Sequence, residues 1–165
     1  MKNRIMSSAI LAAAGVMALG LSSVANAATT TTATFAVTAN VAANCTIAAN
    51  PLAFGSYTGA VNNATTTVTA QCTNSTPYNI GLNAGTASGA TVTSRQMQFG
   101  ANLLNYKLTS DSAHAVNWGN TVGTDTVTGT GSGAVQTLTV YGQIPASQFV
   151  TPGAYSDTIT ATLTY

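Results

Sequence analysis

The sequence predicts an all-β protein, a β-sandwich built from short strands, and three observations support this prediction. Threonine is abundant, glutamate is missing and only 4% of the 165 residues are charged, so residues that favour helices are scarce. Several short stretches alternate apolar with small or polar residues, which is the two-residue period of a strand. Glycine, proline and asparagine separate these stretches, as turns between strands require.

The first residues have the three-part pattern of a secretion signal. Two positive residues precede an apolar run over residues 5–21, and Ala25-Asn26-Ala27 has the small-x-small form of a cleavage site. The run approaches the length of a membrane anchor, but alanine, glycine and serine dilute it and the cleavage motif follows at once. We therefore predict a signal peptide over residues 1–27, cleaved between Ala27 and Ala28, and a chain that leaves the cytoplasm.

Behind this signal, residues 34–41 alternate in the pattern of a strand. The apolar positions are Phe35, Val37, Ala39 and Val41. The alternation places one apolar row on one face of an extended segment, and such a row requires burial. We predict that the row is buried in the next copy of the protein. Residues 28–43 then form an N-terminal extension, and residues 44–165 form a single folded domain.

In the first half of the domain, turn residues separate the predicted strands. Residues 50–57 contain Pro51 and Gly55, which predicts a short, broken edge strand. Residues 65–72 alternate cleanly and form the next strand. Its inward residues are Val68, Ala70 and Cys72. After a turn, a further strand begins at Tyr78, and a glycine-rich loop follows it.

In the second half, a brief strand around Met97 precedes a longer one with clean alternation. The apolar residues of the longer strand are Leu104, Tyr106 and Leu108. Residues 110–133 are predicted to be the longest irregular region, and another strand follows through Leu138 and Val140. We find no stretch after the signal with the 3.6-residue period of an amphipathic helix.

The last predicted strand covers residues 155–165 and carries apolar side chains on one face and threonines on the other. The apolar residues are Ile159, Ala161, Leu163 and Tyr165. No turn and no closing strand follow, which predicts an exposed sheet edge of the kind that natural proteins avoid. We expect this edge to receive the apolar extension of another copy by strand addition.

Two cysteines, Cys45 and Cys72, remain after the signal. An even number of cysteines in an exported chain predicts one disulfide bond. A metal site or a catalytic thiol is the alternative, but a metal would need further ligands and His114 is the only histidine. We therefore expect the disulfide, and neither a metal nor a cofactor.

The few charges exclude several classes of function. After the signal the chain has two positive residues, Arg95 and Lys107, and three negative ones, Asp111, Asp125 and Asp157. Binding to nucleic acid or to anionic lipid requires clusters of lysine and arginine, so neither is expected. We predict that Asp111 and Asp157 hold turns or pair with Arg95 or Lys107.

The sequence contains no convincing set of catalytic residues. His114 lies in an irregular stretch without a partner carboxylate nearby, so we predict a solvated loop residue rather than a general base. The glycine run at residues 129–133 leads into a strand rather than a helix, so it predicts a flexible connection and not a phosphate loop. Trp118 is expected in the core, although an exposed tryptophan would favour a monomeric sugar-binding protein. We predict no enzyme and no small-molecule substrate.

The order of several motifs resembles the spore coat protein U family, whose members include subunits of the archaic chaperone–usher pili of bacteria. The matching motifs are Phe35-Ala36-Val37 ahead of Cys45, Leu52-Ala53-Phe54-Gly55-Ser56-Tyr57, Cys72-Thr73 with Pro77-Tyr78, Arg95-Gln96-Met97, Leu104-Asn105-Tyr106-Lys107-Leu108 followed by Asp111, Trp118-Gly119, Tyr141-Gly142-Gln143-Ile144-Pro145 and Gly153-Ala154-Tyr155-Ser156-Asp157-Thr158. Together these motifs run through most of the chain after the signal.

The resemblance implies an incomplete immunoglobulin-like sandwich that lacks its last strand and is completed by a donated strand. A periplasmic chaperone would lend that strand, and at an outer-membrane usher the extension of the next subunit would replace it. The donor residues would be Phe35, Val37, Ala39 and Val41, and the acceptor groove would be lined partly by Ile159, Ala161, Leu163 and Tyr165. Ala39 departs from the family, where a larger apolar residue is usual.

The resemblance also implies a paired Cys45 and Cys72 and a location outside the cell. The expected partners are other copies of the chain, related pilins, the chaperone and the usher. The expected product is a fibre at the cell surface that serves attachment and biofilm formation. A component of a spore or cyst coat, built by the same contacts, is the alternative within the family.

Overall fold

The computed structural model describes residues 27–165. The predicted signal peptide, apart from Ala27, lies outside the described residues. The chain forms two units, one that ends at Ala39 and one that covers Asn40–Tyr165. In the first unit, residues 27–39 form neither helix nor strand, and all of them are exposed.

The second unit consists of two antiparallel sheets. Its strands are β1 (Cys45–Ala49), β2 (Asn62–Cys72), β3 (Pro77–Leu82), β4 (Arg95–Phe99), β5 (Asn102–Thr109), β6 (Val127–Thr130), β7 (Gln136–Ile144) and β8 (Ala161–Thr164). The larger sheet has the order β1-β2-β7-β5-β4, and the smaller sheet has the order β6-β3-β8. No helix occurs within residues 27–165. The predicted all-β sandwich is confirmed.

The core lies between the two sheets and consists of the inward-facing residues of their strands. Its buried members are Val68, Ala70, Cys72, Tyr78, Ile80, Leu82, Leu104, Tyr106, Leu108, Trp118, Val140 and Ile144. Trp118 is 1% exposed, and its indole N–H donates a hydrogen bond of 2.7 Å to the carbonyl oxygen of Ile80. The prediction that Trp118 belongs to the core is therefore confirmed, and Trp118 offers no exposed surface to a sugar.

Two of the predicted strands differ from the structure. Residues 50–57 form no strand. Pro51 has no N–H for a sheet hydrogen bond, and Gly55 has a φ of 69°, which an extended strand does not accommodate. The final strand was predicted over residues 155–165, but β8 begins only at Ala161 because the preceding residues cross between the two sheets.

Part of the region predicted to be irregular, residues 110–133, is a strand. Here β6 pairs with β3, and Gly129 lies opposite Tyr78 in the register. A Cβ at residue 129 would overlap the ring of Tyr78, so glycine is required at this position. The glycine run at residues 129–133, predicted as a flexible connection, therefore begins inside a strand.

The loop after β5 is held by Asp111, as predicted. Its carboxylate accepts hydrogen bonds from the main-chain N–H groups of Ala115 and Val116, the second at 2.6 Å. These bonds, first that from Val116, lower the pKa of Asp111 below its ordinary value. Their contribution is therefore present above the ordinary carboxyl pKa and is lost as pH falls through the lowered pKa.

We expect the amide proton of Val116 to lose protection from solvent exchange as pH falls through that acidic window. Hydrogen exchange measured by NMR, corrected for the intrinsic exchange rate, would show the loss. The Asp111→Asn variant should have weak protection that does not change over the same window. Equal protection of Val116 in the parent at neutral and acidic pH would contradict the expectation.

Candidate functional site

The sandwich has an open side between the end of β1 and the beginning of β8, where Ala49 and Ala161 line a cavity. Each of these strands is the outer strand of its sheet and pairs with only one neighbour. Outer strands present unpaired N–H and C=O groups, which another extended segment can bind. The open side therefore has both the space and the main-chain groups that strand addition requires.

A groove with a cavity volume of about 470 Å³ occupies this open side. Its lining residues are Ala49, Asn50, Pro51, Leu52, Phe54, Thr66, Val68, Leu82, Met97, Tyr106, Leu108, Val140, Tyr155, Ser156, Asp157, Thr158, Ile159 and Ala161. A second cavity of about 660 Å³ shares Leu52, Phe54, Met97 and Tyr155 with the first. The two cavities therefore adjoin, and together they are called the groove below.

One wall of the groove is formed by residues 50–57, which belong to neither sheet. The side-chain amide of Asn62 donates to the carbonyl oxygens of Phe54 and Ser56 and holds this segment. The side chains of Leu52 and Phe54 pack on Gly142 of β7, where a Cβ would come within 2.6 Å of Leu52. The wall is therefore fixed by side-chain contacts, and much of its main chain is free to pair.

The other wall is the segment that leads into β8. Ser156 exchanges two hydrogen bonds with Gln98 of β4, whereas Thr160 is bound by Asn83 just after β3. The chain therefore leaves the larger sheet at Ser156 and joins the smaller one at Thr160. Residues 157–159 between these points pair with no strand, although they line the groove.

The structure brings only part of the predicted acceptor set to the groove. Ile159 and Ala161 line it, and Leu163 is half-buried against the core. Tyr165 is 59% exposed and lies outside the groove lining. The sequence did not identify the opposite wall or Met97, because those residues come from segments that are distant in the chain.

The extension exposes its apolar row to solvent. Phe35, Val37 and Val41 are 86%, 83% and 84% exposed, and Ala39 is also exposed. Large apolar side chains in a row at this exposure are unfavourable in water and indicate a surface that is covered by a partner.

The predicted disulfide between Cys45 and Cys72 is present. The two cysteines are also the first pair in the register of β1 and β2. The bond therefore joins the beginning of β1, which is the end nearer to the extension, to the end of β2.

The two cations after the signal do not bind carboxylates, in contrast to one of the predicted alternatives. Arg95 is 0% exposed, and all four of its hydrogen bonds go to main-chain carbonyl oxygens. The ammonium of Lys107 donates to the carbonyl oxygen of His114 at 3.1 Å. Asp157 instead accepts hydrogen bonds from hydroxyl and N–H groups, and it joins the loop after β3 to Tyr106 of β5 rather than holding a turn of its own.

The side chain of His114, the possible general base weighed from the sequence, is bound within its loop. His114 lies in the loop after β5, with its Nδ1 atom 3.3 Å from the hydroxyl of Thr109 and its ring edge-on to Tyr141. Among residues 27–165, no cluster of three histidine, cysteine or acidic residues could hold a metal ion. The same part of the chain contains no helix that is long and apolar enough to cross a membrane.

Comparison with solved structures supports an incomplete immunoglobulin-like sandwich. One similar structure is a chain of the CsuC–CsuE chaperone–tip adhesion subunit pre-assembly complex from archaic chaperone–usher Csu pili of Acinetobacter baumannii. It is 22% identical with a TM-score of 0.57, over 76% of this chain and only 40% of that chain. The Escherichia coli Hda pilus minor tip subunit HdaB, 18% identical over 73% of this chain and 79% of its own, has a TM-score of 0.35, too low to establish a shared fold.

Comparison of sequences identifies the family. Protein U of Myxococcus xanthus is 36% identical over an alignment of 175 positions with gaps, which covers 95% of this chain and 95% of that protein. The family model described as Spore Coat Protein U domain matches residues 31–162, which include most of the extension, strands β1 to β7 and the first half of β8. The chain belongs to the Spore Coat Protein U domain family.

Proposed function

We propose that the chain is a structural subunit of a chaperone–usher pilus and that it polymerises by donor-strand exchange. One observation carries the proposal: the chain has both an open apolar groove and an exposed extension with the alternating apolar row that would fill it. The groove of one copy would receive residues 34–41 of the next. The incoming strand would pair with the side of the groove that carries Ile159 and Ala161.

The energetics of such a contact are favourable. Burial of a phenylalanine or valine side chain contributes about 1.5–3 kcal/mol, so Phe35, Val37 and Val41 together contribute several kcal/mol. Main-chain hydrogen bonds to both free edges add to this, while ordering of the extension opposes it. Ala39 contributes least because it buries the smallest area.

The symmetry of the contact favours a fibre. The donor and the groove are different surfaces of the same chain, so the contact is heterologous, and it gives an open fibre wherever the rotation between subunits does not close a ring. Each added subunit presents a new extension or a new groove. The same geometry gives a periplasmic chaperone a place to bind, since a lent strand could cover the groove before assembly. Export to the cell surface through an usher, and a role in attachment and biofilm formation, complete the proposal.

The family description favours a second candidate, a component of a spore or cyst coat. Such a coat could be built by the same strand exchange, so the molecular contact does not separate the two functions. Immunogold electron microscopy of the producing cells distinguishes the two functions. Label on thin surface fibres supports the pilus, and label on a continuous layer around resting cells supports the coat.

The proposed contact is tested with two matched double variants. The chain is expressed in a periplasm with its chaperone and run unboiled on a gel. Phe35→Asp with Val37→Asp places charges in the apolar row, whereas Ala36→Asp with Thr38→Asp places the same charges on the opposite face. We expect a ladder of heat-labile multimers from the parent and from the second variant, but not from the first. A single folded monomer from all three chains, stable without the chaperone, would overturn the proposal.

A further inference from the structure

In the groove wall that leads into β8, the unpaired residues 157–159 are bound through one carboxylate, that of Asp157. Asp157 lies in the crossing between the two sheets, where residues 157–159 have no strand pairing. Its Oδ1 atom accepts hydrogen bonds from the N–H and the hydroxyl of Thr86, at 2.8 and 2.9 Å, and from the N–H of Thr158 at 2.7 Å. Its Oδ2 atom accepts the hydroxyl proton of Tyr106 at 2.7 Å.

These partners belong to different parts of the sandwich. Tyr106 lies on β5 of the larger sheet and is 5% exposed at the base of the groove. Thr86 lies in the loop after β3 of the smaller sheet. One carboxylate therefore ties the unpaired wall both to β5 of the larger sheet and to the loop that follows β3. Because burial, with the hydrogen bond to Asp157, raises the pKa of Tyr106, its hydroxyl remains a donor at all ordinary pH values.

The neighbouring loop is shaped around this carboxylate. Gly85 has a φ of 90°, and a Cβ at this residue would overlap the Oδ2 atom of Asp157. The loop thus approaches the carboxylate as closely as a main chain can. Within the described part of the chain, the hydrogen bonds of residues 157–159 are those of this carboxylate, and Ile159 also packs against the core.

We propose that Asp157 is a positioning residue that holds the unpaired groove wall in its receptive position before a donor strand arrives. This inference rests on the proposed function of the groove. A wall that is already ordered costs the incoming strand less conformational entropy, so preorganisation accelerates productive binding. Once the donor is in place, its main-chain hydrogen bonds hold residues 157–159, and the carboxylate contributes less.

The experiment measures how fast a donor strand binds. The full chain carries Phe35→Asp and Val37→Asp, so that its own extension does not compete, and the probe is a fluorescent peptide of residues 33–42. Fluorescence anisotropy gives the association and dissociation rates. In this background, Asp157→Ala removes all four bonds and Tyr106→Phe removes only the tie to the larger sheet.

The matched control is Asp125→Ala. Like Asp157, Asp125 accepts a hydrogen bond from a main-chain N–H group: its Oδ1 atom is 2.7 Å from the nitrogen of Thr121. A glycine also lies close to each carboxylate, since a Cβ on Gly119 would overlap that of Asp125. Asp125 does not line the groove. The structural loss of a half-buried carboxylate is therefore common to both variants, whereas an effect on donor capture is specific to Asp157.

We expect Asp157→Ala to slow association about tenfold, the cost of ordering roughly one residue of main chain, while dissociation changes less than about twofold. Tyr106→Phe should slow association by a smaller factor, and Asp125→Ala should leave both rates as in the reference chain. Equal association rates in Asp157→Ala, Tyr106→Phe and the reference chain would overturn the inference and leave the proposed function standing. Failure of the reference chain itself to bind the peptide would overturn both. Because Tyr106→Phe keeps the carboxylate, it also tests the inference if Asp157→Ala does not fold.

Discussion

Replacement of Cys45 and Cys72 together by alanine is expected to lower the free energy of unfolding by roughly 3–4 kcal/mol. The two residues are separated by 27 positions in the sequence, and closing a loop of that length restricts the unfolded chain by this amount. Alanine keeps the Cβ of Cys72, against which Gly131 packs, and adds no polar atom to a site that is 1% exposed. The loss therefore reports mainly the cross-link, with a smaller contribution from the space that the buried sulfur of Cys72 leaves and none from a buried hydroxyl.

Guanidinium chloride unfolding, followed by circular dichroism, measures this difference. The parent should unfold at a clearly lower denaturant concentration when a reductant is present, and the double variant should match the reduced parent with or without reductant. Oxidised parent and double variant with the same midpoint would contradict the prediction. Hydrogen exchange should also locate the effect in β1, because the bond joins the first residue pair of this outer strand to β2.

The position of the bond has a further consequence under the proposed function. Tension on an extension bound in a neighbour's groove reaches the domain through Cys45, a few residues after Val41 in the chain. Without the cross-link, such tension would separate β1 from β2 one residue pair at a time, beginning at Cys45 and Cys72. The bond instead transfers the load to β2, which pairs along its length with β7.

The strands with clean alternation could be predicted from the sequence. In β5, Leu104, Tyr106 and Leu108 face the core, and the observed strand covers the predicted one. The crossing at residues 155–160 could not be predicted, because its alternate side chains remain half-buried while its pairing partner changes from β4 to β3. A two-residue period reports which side chains face inward, and it does not report which strand supplies the hydrogen bonds.

The candidate site, too, could be predicted from the sequence only in part. The alternating row of the extension and the inward face of the final strand follow from local periodicity. The other wall of the groove depends on Leu52 and Phe54 meeting Gly142, a contact over a long sequence separation that no local pattern indicates. The hydrogen bonds of Arg95 could not be predicted from the sequence either, because its partners are main-chain carbonyl groups, which every residue carries.

Replacement of Arg95 by methionine is expected to lower the free energy of unfolding by roughly 2–5 kcal/mol. The guanidinium donates to the carbonyl oxygens of Leu82 and Trp118 in fully buried hydrogen bonds of 2.9 and 2.7 Å, and to those of Asn83 and Val92 nearer the surface. Each buried acceptor left without a donor costs about 1–3 kcal/mol. Part of this cost is offset because the desolvated charge, whose burial lowers the pKa of Arg95, is removed with the side chain.

The prediction is tested by denaturant unfolding of Arg95→Met, Arg95→Lys and a control, Gln96→Met. Gln96 is the next residue of β4, and its side chain makes only an exposed hydrogen bond to Asn105, so its loss should change stability by no more than about 0.5 kcal/mol. Lysine keeps the positive charge, but one ammonium cannot reach carbonyl groups that Arg95 contacts from three separate nitrogens. We therefore expect Arg95→Lys to be destabilised by an amount comparable to Arg95→Met. Parent-like stability of Arg95→Lys would show instead that Arg95 acts through its charge, on Asp125 and Asp157, rather than through its hydrogen bonds to the main chain.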